Sequence, residues 1–114
     1  MDLKIPNIVK PIELKEYAPE FGEAKIYVWV NPPREMRLAL INTIMTGEAK
    51  DEDIGEWFAK IWSEGPEDTH FTPDDVLKMA KESLDQDPQL WLWLMKRTTD
   101  LLVDHYGAKK KPLT

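Results

Sequence analysis

The side chains able to do chemistry are few and scattered. His70 lies in the acidic stretch "SEGPEDTHF" and has no second histidine at ligand spacing, so no metal site is expected there. His105 falls near the end of the last predicted helix, on its apolar side. A packed ring, or one facing the C-terminal carbonyls, is the simplest reading of it. "DEDIGE" looks superficially like a calcium loop. Gly55 comes one position too early after Asp51, however, and no glutamate follows at the required spacing. Asp74 and Asp75 could form an acid–base pair. They directly follow Thr72-Pro73, where carboxylates meet the positive end of a helix dipole, and capping explains them better. There are no cysteines, which excludes disulfides and thiolate-metal sites. The glycines are scattered singly, so no phosphate-binding loop is present, and no serine sits in a nucleophile-elbow setting. The chain is not expected to be an enzyme, nor to need a metal or cofactor.

Composition narrows the classes further. The 114 residues fit one domain with a single modest core. No run of about 18 apolar residues exists, so a membrane partner is not expected. The opening "MDLKIPNIVKPIEL" lacks the basic region and apolar core of a signal peptide, and a cytoplasmic location is expected. The net charge of −6 is uneven. Glu48 to Asp87 holds 13 acidic and 4 basic residues, a net of −9, while the rest is net +3. Such a segment repels phosphate, which argues against a nucleic-acid partner. It reads as a solvated surface, or more sharply as a docking face for a basic partner.

The elements that must position these groups follow from pattern. Residues 1–10 read as an arm, given Pro6 and Pro11. "PIELK" and "KIYVWV" both alternate and read as strands, joined by a turn carrying Pro19 and Gly22. Asn31 can cap a first helix that runs to about Met45 and stops near Gly47. A second opens near Asp51, with Ile54, Trp57, Phe58, Ile61 and Trp62 on one face. A third starts at Thr72-Pro73 and is expected to bury Val76, Leu77, Ala80 and Leu84. The fourth begins at Asp87-Pro88 and ends at Gly107. "LWLWL" within it alternates like a strand, but its apolar residues cover one arc of roughly 220° when wound at 100° per residue. It is therefore a helix, and it is expected to be central. The fold class is α+β, mainly α: a two-stranded hairpin, then about four helices. The single domain spans 11–107, with a basic tail at 108–114.

Three aromatics do not fit a core. Trp93 projects from the charged sector of the last helix, where Arg97 or Lys96 could cover its ring. Tyr27 and Trp29 face away from Ile26, Val28 and Val30 on the second strand. If helices cover one face of the hairpin, these rings are left on the other, marking a subunit contact or a further strand. Tyr27, Trp29 and Trp93 are thus the candidate partner-binding residues, since aromatic rings dominate interface hot spots.

The layout as a whole resembles a known family. "IVKPIELKEY", the aromatic strand "IYVWV", "PPREMRLALINTI", "IGEWFAKIW" and "FTPDDVLKMAKESLDQDPQLWLWLMKRTTDLL" follow one another as in the tail assembly chaperones of long-tailed, non-contractile bacteriophages and their prophages. The likeness covers roughly Ile8 to Leu102, and Thr72-Pro73-Asp74-Asp75 matches a helix start common in that family. It implies a non-enzymatic viral chaperone in the host cytoplasm that coats the apolar, helical tape-measure protein and helps recruit the major tail protein. A homo-oligomer fits the same picture. It also implies a longer, frameshifted form, and the lysine codons of "GAKKKPLT" are where such a shift could occur. Two other readings stand beside it. One is a small acidic inhibitor that mimics nucleic acid before a host enzyme. The other is a generic adaptor domain.

Overall fold

The hairpin owes its register to alternation. The computed structural model describes residues 3–47 and 51–105, apart from the side chains of 43–45 and 51. Strand β1 (Val9–Glu13) pairs antiparallel with β2 (Lys25–Trp29), placing Ile12 opposite Ile26 and Val9 opposite Trp29. Beyond the ladder, Leu14 N–H donates to Ala24 O and Val30 N–H to Ile8 O. The even-numbered positions therefore bond inward, and the odd-numbered ones point their amides away from the partner strand. Pro11, which has no N–H, occupies an outward position and costs the ladder nothing. Ile12, Ile26, Val28 and Val30 are all buried.

Strand β1 starts at Val9, before the expected boundary at Pro11. Asn31 explains the difference. Its side-chain oxygen accepts from Ile8 N–H at 2.7 Å, and its Nδ2 donates to Pro6 O at 2.9 Å. It fastens the leading segment rather than capping the first helix, which corrects the capping expectation. Helix α1 (Arg34–Thr46) begins three residues later, after Pro32 and Pro33.

Helix α2 (Asp51–Ile61) buries Phe58 and Ile61, and Trp62 directly after it is buried too. Ile54 and Trp57 on the same face are half-buried. Helix α3 (Pro73–Gln86) carries a complete capping box. Asp75 N–H donates to Thr72 Oγ1 at 3.1 Å, and Thr72 N–H to the Asp75 carboxylate at 3.0 Å. Gly55 of α2 lets the two helices meet closely. A Cβ there would lie 3.0 Å from Pro73 O and 3.1 Å from Leu77 Cγ.

Helix α4 (Pro88–Val103) starts where Asp87-Pro88 predicts and touches α3, α1 and β1, the central position expected of it. Trp91, Leu94, Thr98 and Leu102 are its buried line. Leu92 and Val103 lie at the margin of the predicted arc and remain 53% and 43% exposed. Leu84 is a correction: it is 55% exposed, and Ser83 beside it is buried instead. The Ser83 hydroxyl donates to Asp87 O at 2.8 Å and accepts from Trp91 N–H at 2.9 Å. The α3–α4 corner turns on that polar pivot, which orients α3 so that Leu84 points outward.

The fold is α+β and mainly helical, with one two-stranded hairpin and four α-helices among the described residues. No helix among the described residues is long and apolar enough to cross a membrane. The expected cap at Gly107 and the tail at 108–114 lie outside the described residues.

Candidate functional site

The tryptophans divide into a core set and a peripheral set. Trp62 and Trp91 are buried with Phe58 and half-buried Phe71 in one aromatic cluster. Ring centroids lie 4.8 Å apart for Phe58–Trp62, 5.6 Å for Phe58–Trp91 and 5.7 Å for Trp62–Phe71. The tilted and edge-on geometry suits aromatic quadrupoles. Trp62 Nε1 donates to Thr98 Oγ1 at 3.3 Å, so the one polar atom of that ring is satisfied.

Trp93 is half-buried, and its partner is not a cation. The Tyr17 ring lies 5.4 Å from it, inclined at 51°. Lys96 pairs with Asp100 at 3.1 Å and Arg97 with Glu16 at 3.4 Å. Tyr17 also donates its hydroxyl to Asp87 at the head of α4, at 2.7 Å. That bond to a carboxylate, with lesser desolvation and charge effects, holds the Tyr17 phenol above its usual pKa. The connection between the strands thus folds down on the outer side of α4. Trp29 is half-buried, and its indole N–H is shielded from solvent without a hydrogen-bond partner among the described residues.

Tyr27 sits differently. Gly65 lies directly against it: a Cβ at position 65 would come within 2.6–2.9 Å of three Tyr27 side-chain atoms. The loop carrying Gly65 is braced locally. His70 Nε2 and Gly65 O are 2.6 Å apart, Thr69 Oγ1 donates to Pro66 O at 2.6 Å, and Asn7 reaches Glu64 from the leading segment. The loop stays against β2 through Glu67–Thr69, and an open groove of about 810 Å³ is lined by this loop, the hairpin, α3 and α4. Leu14, Phe21, Ala24, Ile26, Phe71, Met79, Leu90 and Leu94 supply apolar surface. Glu23, Lys25, Asp68 and Thr69 bring the polar groups.

No family model matches this chain. Comparison with curated proteins and with solved structures finds no match either.

The groove is the best-formed candidate site. Of the three aromatics singled out in the sequence, Tyr27 lines it, whereas Trp29 and Trp93 do not. Phe21, Phe71 and Met79 line it without having been singled out. Phe21 was read as part of a turn, yet at 37% exposure it is a large apolar ring on a turn between strands. Its type was the available signal. Phe71 and Met79 carried none, because their place follows from how the loop crosses the hairpin. His70 serves the loop brace, and among the described residues no three potential ligands gather as a metal site.

Proposed function

We propose that this chain is a non-enzymatic assembly chaperone that shields apolar segments of a partner until the partner is incorporated. The partner in this reading is a tape-measure protein of a phage tail, as the resemblance implies, with recruitment of the major tail protein as a later step. The observation that carries the reading is the open groove of about 810 Å³ beside β2, walled by Phe21, Ala24, Phe71, Met79 and Leu90. Its size falls in the range of sites that take a substantial apolar ligand, roughly 300–1,000 Å³. Outside the groove, Leu38, Leu92 and Val103 stay well exposed. Exposed apolar stripes on a long partner aggregate unless shielded. An acidic cover with net charge −6 would keep the joint particle soluble.

Co-expression tests the reading. A tape-measure fragment that is insoluble alone should become soluble with the wild-type chain. It should stay insoluble with Ala24→Trp, which fills the groove from an exposed position. A fragment that stays insoluble with both contradicts the chaperone role.

A further inference from the structure

The groove wall contributed by β2 carries main-chain groups that point away from β1. Ladder parity aims the N–H and C=O of Lys25 and Tyr27 away from β1. Nothing among the described residues hydrogen-bonds to these groups. Among the described residues the sheet has only two strands, so this edge is unpaired within them. Lys25 and Tyr27 both line the groove. A lipid or a small apolar ligand would leave those four main-chain groups idle, whereas an extended peptide would pair with them.

Charge narrows the occupant further. Glu23 and Asp68 are exposed residues of the groove lining, with Glu20 and Glu67 near them in the chain. Among the described residues, none of these four carboxylates is in an ion pair such as Lys15–Glu13, Lys96–Asp100 or Arg97–Glu16. Lys25 is the one cation among the lining residues. The charged part of the lining is therefore net negative, beside apolar walls.

We infer that the groove binds an extended polypeptide segment that adds to the outer edge of β2, with alternate apolar side chains directed into the groove and Lys or Arg flanking them beside the acidic residues of the lining. The inference rests on the chaperone reading and specifies that the partner is held through a stretch in extended form, outside its helical parts, whose main chain is free to pair. Main-chain pairing gives sequence-tolerant affinity, and every second side chain faces the pocket. Closure of the groove by Gly65 against Tyr27 limits the added strand to the Glu23–Tyr27 stretch. The basic flanks speed and orient docking through complementary charge.

The test uses the full chain, labelled with ¹⁵N, and two peptides. Each has about six residues of alternating Val and Thr, typical of a strand. One carries lysines at both ends, the other glutamates. Lys25→Pro removes only an outward amide, as Pro11 does naturally, while Lys25→Gln controls for the lost charge. The lysine-flanked peptide should protect the Lys25 and Tyr27 amides from exchange. It should bind at least about tenfold tighter than the glutamate-flanked one. Lys25→Pro should weaken it by at least about tenfold relative to Lys25→Gln. Equal binding of both peptides, or binding without protection at Lys25 and Tyr27, overturns the inference. If neither peptide binds but the tape-measure fragment does so in an Ala24→Trp-sensitive way, the strand-addition idea falls and the chaperone reading survives. If the fragment also fails to bind, both fall.

Discussion

A methyl group at position 65 has nowhere to go. Gly65→Ala would drive a Cβ against the Cβ and ring of Tyr27, at 2.6–2.9 Å. The loop must shift, and the expected cost is about 1–3 kcal/mol, as for other overpacked contacts. Urea unfolding of the variant measures it. Ser83→Ala should cost about 1–3 kcal/mol by the same measurement, because the buried Trp91 N–H loses its acceptor. Leu84→Ala next to it should stay within about 0.5 kcal/mol, since Leu84 is 55% exposed. The sequence suggested the reverse order, because apolar periodicity ranks a leucine above a serine and says nothing of a hydroxyl serving two main-chain groups. Tyr27 was legible as a residue off the core face, but Gly65 resting on it was not.

Elements were most legible where their signals are local. The start of α3 is written in Thr72-Pro73-Asp74-Asp75, and the capping box forms as those residue types dictate. Its pH behaviour follows. The hydrogen bond from Thr72 N–H, then that with the Thr72 side chain, lowers the Asp75 pKa, with Lys78 assisting. A carboxylate with a depressed folded-state pKa stabilises the fold fully above its unfolded value of about 3.9, and that contribution disappears as pH falls through the folded value. Melting temperature should therefore drop on acidification below about pH 4, and drop less steeply in Asp75→Asn. Tyr17 has the opposite sign. Its raised phenol pKa means that stability is fully present below about pH 10 and is lost as pH rises through the folded value. Tyr17→Phe should remove that alkaline loss in thermal melts, while keeping the ring that covers Trp93. The start of α1 was misread because Asn31 has the residue type of a cap, and only the folded hairpin shows Ile8 and Pro6 within its reach.

At the scale of the whole molecule, the hairpin-plus-helices layout and the central place of α4 could be read from periodicity. The groove could not. It is assembled from the hairpin turn, β2, the loop after α2, α3 and the head of α4, and no local pattern links those segments. The sequence pointed to aromatic rings as the means of association. The structure places one of them, Tyr27, in the lining of a largely apolar trough that also holds Glu23 and Asp68, and gives Trp93 an aromatic partner of its own. In the proposed reading, association through the trough makes the partner's apolar area, rather than isolated ring contacts, the driving force. The most direct measurement is a calorimetric titration of a tape-measure apolar fragment into the wild-type chain and into Ala24→Trp, at several temperatures. Binding with a negative heat-capacity change, weakened at least about tenfold in a still-folded Ala24→Trp, is the predicted result. Equal affinity for the two proteins, or no heat with either, would contradict it.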